Sequence, residues 1–380
     1  MHERERSGVR AEVLEGAEGF ARCEDDWRRL HAALDRPAYH LVYGVVRSSV
    51  ACLEPKPQDL IVVRVVDGGE CVALLRLVPH ARRILRVVRL RSLEVSRFPE
   101  CPNQDVLMHP RADAAAVWRA VVDALRTHGV RWDAISALAV PLGQGLHRLA
   151  AALPARSRVV AGVGASASEN VFDTRRPHAE LAARFSALLA KNLGKGRRRI
   201  ERTGAWDVVS VRGAPASLWA FDEFCRVEAS GWKGTQGIAS AALLTPRTLA
   251  YFRSVFLIDE APACHGEVNL LRLDVHAIAA QLCVVSGRTR YVVKIGFDER
   301  HGRLGPGQLL IDEMLRRSCA DAGIDAMSLV SNQPWHDDWC PDRLPVDDVM
   351  ILRNATSVRA WHAFDALRRW VRPGNETAAR

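Results

Sequence analysis

The sequence predicts an α/β fold of the α+β kind, in two lobes that are each a mixed, mostly antiparallel sheet flanked by helices. The chain has 380 residues, which is more than one typical domain. Its hydrophobic share of 48% and charged share of 26% are typical of a soluble globular protein. The first and last thirds also show the same order of segments: a hairpin, a strand, a helix and a strand.

The first lobe is assigned to residues 1–170. It opens with a predicted helix over residues 23–36, which Pro37 ends. A hairpin follows, because an Asp-Gly step at residues 67–68 separates the apolar runs DLIVVRVV and CVALLRLV. The strand ILRVVRLRSL, a helix over residues 112–129 and the strand WDAISALAVP complete the lobe.

The second lobe is assigned to residues 171–380. An amphipathic helical segment over residues 178–204 is followed by the predicted helices SLWAFDEFCRVEAS and TPRTLAYFRSVF. The strands EVNLLRLDV, AIAAQLCVV and YVVKIGF then lead into a glycine-rich loop. A helix over residues 307–322 and the strand DAMSLVSN come last, so this lobe repeats the order of the first.

The glycine-rich loop is the first candidate binding site. Gly302, Gly305 and Gly307 precede a helix, and a helix N-terminus offers N–H groups and a positive dipole end to a phosphate. Three basic residues, Arg300, His301 and Arg303, stand beside these glycines. The first lobe has CPNQDVLMHPRAD at this point, without glycine, so the site is predicted in the second lobe alone. The alternative is a plain strand-to-helix turn, because glycine spacing is weak evidence.

Composition limits the classes of protein to consider. No run of eighteen apolar residues exists and the N-terminus has no apolar signal core, so we expect no membrane span and a cytoplasmic protein. The nine cysteines are scattered without a CxxC pair, which predicts reduced thiols and no metal site. The net charge of +9 favours an acidic ligand: nucleic acid, an anionic membrane or a phosphorylated cofactor.

Three segments together resemble a known family. They are KNLGKGRRRIERTGAWDV, RVEASGWKGTQGIA and KIGFDERHGRLGPGQLL, in that order. They are similar to segments of the GNAT acyltransferases of the CelD, or cellulose-biosynthesis, branch, which is related to the Fem-type peptidyltransferases. The resemblance spans residues 173–332 and, more weakly, the N-terminal third. It implies tandem GNAT-like lobes, of which the first lacks the phosphate loop.

The resemblance implies transfer of an acyl group, in the first place acetyl, from acyl-CoA to an amine or hydroxyl of an unidentified small molecule or saccharide. It places the cofactor on the main chain of the third strand and its pyrophosphate on the loop. The residues concerned are Lys294, Ile295, Gly296, Phe297, Arg303, Gly305, Gly307 and Gln308.

Three side chains are candidates for catalysis. Glu228 is the first candidate for the general base that an amine acceptor needs. Lys233 either pairs with Glu228 or holds an acidic substrate. The family's tyrosine acid has no counterpart after the last strand, and His336 is the candidate to replace it. The alternatives are a capping glutamate, a solvated lysine and a surface histidine.

Two other functions compete with acyl-CoA chemistry. Residues 191–202 carry six positive charges, which motivates Fem-like aminoacyl transfer from tRNA. Nucleic acid is otherwise not the expected partner, because no aromatic residues alternate with these charges. The missing tyrosine motivates a non-catalytic accessory protein of polysaccharide biosynthesis.

Overall fold

The structure is a computed structural model that describes residues 8–84, 88–95, 104–154, 158–162, 168–231, 233–234, 240–260 and 263–353. Within these ranges, none of the helices combines the length and the apolar character that crossing a bilayer requires.

The first half of the chain contains seven strands and five helices within its described part. The strands are β1 (Arg10–Glu15), β2 (Ile61–Asp67), β3 (Glu70–Ile84), β4 (Val88–Val95), β5 (Leu107–Met108), β6 (Ala134–Pro141) and β7 (Arg158–Gly162). The helices are α1 (Gly16–Ala21), α2 (Glu24–Ala32), α3 (Tyr43–Cys52), α4 (Ala114–Thr127) and α5 (Gly145–Ala151). The predicted hairpin is confirmed, since β2 and β3 are antiparallel around a turn in which Gly68 and Gly69 both have positive φ.

The second half contains eight strands and five helices within its described part. The strands are β8 (Ser168–Asp173), β9 (Trp206–Arg212), β10 (Asp259–Glu260), β11 (Cys264–Leu273), β12 (His276–Ser286), β13 (Thr289–Phe297), β14 (Ala326–Ser328) and β15 (Asp342–Leu352). The helices are α6 (His178–Ala182), α7 (Ala187–Thr203), α8 (Leu218–Ala229), α9 (Pro246–Phe256) and α10 (Pro306–Ala320). The predicted segment 178–204 is therefore two helices, and the second starts where the Ser186 hydroxyl accepts a hydrogen bond from the Leu189 N–H.

The strands form one mixed sheet in the order β1-β2-β3-β4-β6-β15-β8-β14-β13-β12-β11-β10, with β5, β7 and β9 paired beside this path. Both halves repeat one pairing pattern. β2, β3 and β4 are antiparallel and β4 is parallel to β6, while β11, β12 and β13 are antiparallel and β13 is parallel to β14. The predicted fold class, a mixed sheet flanked by helices, is confirmed.

The strand β15 joins the two halves of the sheet. Its first residues pair with β8, and its later residues pair with β6 and β7. The boundary between residues 170 and 171 stays a prediction, and β15 shows that the second half of the chain also contributes a strand beside β6.

Helices cover both faces of the second half of the sheet. Side chains of α7 and α10, such as Leu193 and Met314, pack on one face. Side chains of α8 and α9, such as Phe224 and Phe252, pack on the other together with Val45 of α3. The edge of β13 lies between these two layers, which places both layers around the candidate site.

Candidate active site

A cleft opens where β13 and β14 separate. β13 pairs with β12 along its whole length, but it pairs with the short strand β14 only at residues 289–291. The other edge of β13 is therefore unpaired beyond Tyr291, within the pairings that the structure describes. A cavity of about 720 Å³ lies at this edge, between β13 and the segment that follows β14. Its lining includes Ile295, Phe297, Leu329, Trp335 and His336.

A β-bulge interrupts β13 inside this cleft. On β12 the adjacent residues Leu282 and Cys283 pair with Lys294 and Val292 of β13. Val293 is therefore the extra residue of the bulge. A bulge leaves backbone groups out of the ladder and bends the strand, and such features are common beside active sites. Val293 itself lines the cavity. The pattern of apolar residues in TRYVVKIGF contains no signal for this bulge.

The first turn of α10 forms another wall of the cavity. Gly305 precedes the helix with φ of 67°, and Pro306 occupies the first helical position. Because proline has no N–H, the open donors are those of Gly307 and Gln308, for which no acceptor is recorded among the described residues. Both residues line the cavity. Two N–H groups at the positive end of a 15-residue helix suit a phosphate.

The loop before α10 is ordered by its own contacts. Residues Glu299–Leu304 form a 3₁₀ helix, which the Asp298 carboxylate caps by accepting from the Arg300 N–H at 3.0 Å. The Arg300 guanidinium also pairs with Asp298, at 2.6 Å. Arg303 is exposed, and its carbonyl accepts a hydrogen bond of 2.9 Å from Arg199 on α7. Arg300 is thus engaged by its neighbour, and the exposed Arg303 side chain lies outside the cavity lining.

Gly296 allows α8 to lie directly on β13. A Cβ atom at Gly296 would lie 2.6 Å from the Glu228 Cα atom, a distance that real Cβ atoms essentially never show. This close approach brings the end of α8, with Glu228, against the strand. Glycine at this position therefore has a packing role as well as the predicted role in binding.

Glu228 lies behind β13, with 1% of its surface exposed. Its Oε1 accepts a hydrogen bond from the Lys294 ammonium at 2.9 Å, and its Oε2 accepts one from the Ala242 N–H at 2.8 Å. The Lys233 ammonium lies 3.6 Å from the same Oε1. Two ammonium groups and one backbone N–H therefore supply the partners that a buried carboxylate requires.

Lys233 connects this buried group to the cavity. It lines the cavity, and its Nζ donates a hydrogen bond of 2.6 Å to the Ile295 carbonyl on β13. Burial lowers the pKa of Lys233 to about 8, against an opposing effect of the Glu228 charge. A lysine of this kind provides a substantial fraction of neutral amine at mildly alkaline pH. Trp232 and residues 235–239, which belong to the same sequence motif, lie outside the described residues.

His336 also lines the cavity. Its Nδ1 lies 3.0 Å from the Asn170 Nδ2, 3.3 Å from the Gln333 nitrogen and 3.1 Å from the Ser331 carbonyl oxygen. Nδ1 therefore has two N–H donors and one carbonyl acceptor within hydrogen-bond distance, and these contacts fix the orientation of the ring. Burial lowers the pKa of His336 to about 4, so the ring is neutral at physiological pH. For Nε2, no hydrogen bond is recorded to the part of the chain that the structure describes.

Comparison with protein families identifies part of the chain. Residues 188–335 match the model of the acetyltransferase (GNAT) domain. This matched segment contains the cleft between β13 and β14, the bulge and the first turn of α10. No curated protein matches the chain significantly.

Solved structures show the same fold at low identity. The C-terminal domain of a putative lysylphosphatidylglycerol synthetase from Agrobacterium fabrum is 13% identical with a TM-score of 0.50, over 92% of this chain and 97% of that one. FemX is 10% identical with a TM-score of 0.53, over 86% of this chain and 95% of that one. A conserved protein of unknown function from Bacteroides thetaiotaomicron is 12% identical with a TM-score of 0.51, over 88% and 97%. The fold thus extends beyond the matched GNAT domain to most of the chain.

The cavity in the segment that matches the GNAT domain model brings together most of the candidate residues predicted from the sequence. Its lining includes the following of them: Lys233, Ile295, Gly296, Phe297, Gly307, Gln308 and His336. Glu228 and Lys294 are paired to each other outside the lining of the cavity, and Arg303 and Gly305 are also absent from this lining. The sequence reasoning missed Gln281, Val293 and Trp335, which also line it.

The described residues contain no group of three or more histidine, cysteine or acidic side chains arranged to hold a metal ion. The donors around the cavity are backbone N–H groups, a lysine and a neutral histidine, which suit an anionic organic ligand better than a cation.

Proposed function

We propose that the protein transfers an acyl group, with acetyl as the first candidate, from acyl-CoA to an amine or hydroxyl acceptor. The observation that carries this proposal is a single cavity in which the unpaired edge of β13 leads to the open N–H groups at the start of α10. Acyl-CoA is an extended molecule with a pyrophosphate towards one end. A strand edge can bind the extended part through its main chain, and a helix N-terminus can bind the pyrophosphate.

The donor would lie along residues 293–297. Its pyrophosphate would accept hydrogen bonds from the N–H groups of Gly307 and Gln308, with the exposed Arg303 at the mouth. The thioester would then lie near the bulge, within reach of Lys233 and His336, which both line the cavity. In this arrangement the protein contributes by holding donor and acceptor together and by polarising the reacting carbonyl.

The buried position of Glu228 supports a positioning role rather than direct contact with the acceptor. Its carboxylate holds the Lys294 and Lys233 ammonium groups, and it lies outside the lining of the cavity. Lys233 is the better placed base, since it lines the cavity and its pKa of about 8 makes the neutral amine accessible.

The neutral His336 would donate from Nε2 to the oxygen of the tetrahedral intermediate. In the overall step, the acceptor forms a bond to the thioester carbon and the C–S bond breaks. The proton of the acceptor passes to Lys233 and then to the leaving thiolate or to solvent.

Calorimetric titration of the full chain with acetyl-CoA tests the proposal directly. We expect binding in the micromolar range, where cofactors of enzymes commonly bind. An absence of binding up to millimolar acetyl-CoA would remove the basis of the proposed function.

Replacement of Lys233 tests the proposed chemistry. Thiol release from acetyl-CoA, assayed over a panel of amines and sugars, should rise as the pH increases through about 8, where Lys233 loses its proton. Lys233→Arg keeps a positive charge that cannot be removed, and we expect it to lower turnover by roughly 100-fold or more. Lys56→Arg is the matched control, since Lys56 is a surface lysine. A Lys233→Arg protein with unchanged turnover and pH profile would refute the role of base.

A second candidate function is aminoacyl transfer from tRNA. The observation that favours it is the placement of α7, whose exposed basic residues Lys195, Arg198 and Arg202 lie on the helix that contacts the phosphate loop through Arg199. A gel shift with aminoacyl-tRNA tests this function. Salt-sensitive binding that acetyl-CoA does not displace would favour it over the first.

A further inference from the structure

Gln281 is a buried amide in the wall of the cavity. It lies in the middle of β12, between Ala280 and Leu282, and 1% of its surface is exposed. Among the residues that the structure describes, neither Oε1 nor Nε2 of Gln281 has a hydrogen-bond partner, and the residue lines the cavity. A glutamine in this state is unusual, because buried polar groups are almost always paired.

Neighbouring polar groups are already engaged elsewhere. Asn269 lies directly opposite Gln281 on β11. Its amide donates to Glu267 at 2.8 Å and to the Cys283 sulfur at 3.5 Å, and its Oδ1 accepts from the Ser210 hydroxyl at 2.6 Å. The hydrogen bonds of Asn269 are therefore made within the protein, and the cavity is the remaining place from which Gln281 can gain a hydrogen-bond partner.

The position of Gln281 defines what such a partner would be. Gln281 pairs across the sheet with Ile295 of β13. The Ile295 carbonyl accepts a hydrogen bond from the Lys233 ammonium. The cavity wall beside it continues to the open N–H groups of Gly307 and Gln308. If a ligand extends from these N–H groups to Lys233, the middle of the ligand lies beside Gln281. In CoA that part is the pantetheine arm, which contains two secondary amides.

We propose that Gln281 binds a secondary amide of the donor's pantetheine arm, accepting from its N–H and donating to its C=O. This inference rests on the proposed acyl-CoA function and adds a residue that recognises the donor by its arm. A group that donates and accepts at once complements both unpaired atoms of the glutamine. Gln281 has three rotatable side-chain bonds, so a change of rotamer lets the amide meet a ligand that lies in the cavity.

The test compares two ligands with two variants of the full chain. The ligands are acetyl-CoA and 3′,5′-ADP, which keeps the phosphate end and lacks the arm. Gln281→Leu should weaken acetyl-CoA binding roughly tenfold and leave 3′,5′-ADP binding unchanged, because two hydrogen bonds to the arm are lost. The same variant should melt at an equal or higher temperature, because it removes an unpaired buried amide.

Ser286→Ala is the matched control. Ser286 also lies on β12, is fully buried and has a hydroxyl without a partner in the described part of the chain, but it lies outside the cavity lining. Its replacement should leave the affinity for both ligands unchanged. If Gln281→Leu fails to fold, Gln281→Met provides a more flexible apolar side chain of similar length for the same measurements.

Three results would overturn the inference. They are equal acetyl-CoA affinity of the wild type and the Gln281 variant, an equal loss of affinity for both ligands, and a lower melting temperature that marks the amide as structural. If the wild-type protein itself fails to bind acetyl-CoA, the proposed function fails together with this inference. If the wild type binds and the variant binds equally well, only the role of Gln281 is refuted.

Discussion

The two halves of the molecule share one pairing pattern but start their central helices differently. In the first half, the Asp113 carboxylate caps α4 by accepting from the N–H groups of Ala115 and Ala116, at 2.9 and 3.3 Å. In the second half, α10 starts at Gly305, which has no side chain to do this, and within the described residues no acceptor meets the N–H groups of Gly307 and Gln308. The first helix start is closed by the protein's own anion, whereas the proposed function assigns the second to a phosphate. Under that proposal, the difference between the two lobes is concentrated in the residue that precedes the helix.

The difference between the two helix starts can be removed by giving α10 an acidic cap like that of α4. Gly305→Asp places a carboxylate beside the N–H groups of Gly307 and Gln308, and aspartate is among the residues that tolerate positive φ. We expect the affinity for CoA and 3′,5′-ADP to fall on the order of 100-fold, because like charges a few ångströms apart repel by several kcal/mol. Calorimetric titration measures this loss.

Gly305→Asn is the matched control for the charge. Asparagine also tolerates positive φ and has a similar capping oxygen, but it is neutral. We expect this variant to lose less than about tenfold in affinity, since only competition for the N–H groups remains. If the Asp and Asn variants bind CoA as tightly as the wild type, the start of α10 is not the phosphate site.

A second difference between the halves concerns two buried aspartates. Asp312 on α10 is held by His178 at 2.9 Å and by Arg197 of α7. Burial would raise the pKa of Asp312, but the hydrogen bonds from His178 and Arg197 outweigh it and hold the pKa below its usual value. Asp105 in the first half has two backbone N–H partners and no ion-pair partner among the described residues. Its pKa is raised by burial to about 7.

Removing the charge of Asp312 should loosen α7 from α10. Asp312→Asn leaves Arg197 without its anion, and we expect a loss of about 2–4 kcal/mol in the free energy of unfolding at pH 7, measured by urea denaturation. Glu313→Gln is the control on the same helix, because the ion pairs of Glu313 within the described residues are with Arg316 and Arg317 of α10 itself. Its loss should be smaller, about 1 kcal/mol, since these pairs hold no second helix to α10. Since the pKa of Asp312 is lowered, the deficit of Asp312→Asn should persist from neutral to mildly acidic pH and shrink only as the pH falls through that pKa.

Local patterns in the sequence were sufficient for the hairpin, strand, helix and strand that recur in each half and for the glycine-rich start of α10, but not for β1, α3, β8 or β15, which lie outside that repeat. Each predicted feature depends on residues close together in the chain, such as the alternation in β2 and β3 or the Gly305-Pro306-Gly307 run. The pairing of β15 with strands of both halves depends on contacts between distant segments, and no local pattern encodes it.

The candidate site was predicted in part for the same reason. Main-chain positions on β13 and α10 follow from local order, whereas the surroundings of side chains do not. The burial of Glu228 between two lysines depends on the close approach at Gly296, and the environment of His336 depends on Asn170, 166 positions away in the chain. Gln281 is visible in the sequence as the polar residue within the apolar run AIAAQLCVV, but the run alone does not show that it faces a cavity.

The smallest effect is expected from replacing Asp105, whose raised pKa contrasts with the lowered pKa of Asp312. Because the pKa of Asp105 is raised to about 7, the folded state holds this proton more tightly than the unfolded chain, whose value is near 3.8. The stabilising effect of the bound proton is complete in acid and is lost as the pH rises through 7. Asp105→Asn keeps an oxygen for the N–H groups of Val106 and Leu146, which lie 2.8 and 2.7 Å from the native carboxylate, and it carries no charge. Relative to the wild type, this variant should therefore gain about 2–3 kcal/mol in unfolding free energy between pH 5 and pH 8. Urea denaturation at both pH values measures the gain, and a difference between variant and wild type that is the same at pH 5 and pH 8 would show that Asp105 stays charged in the folded protein.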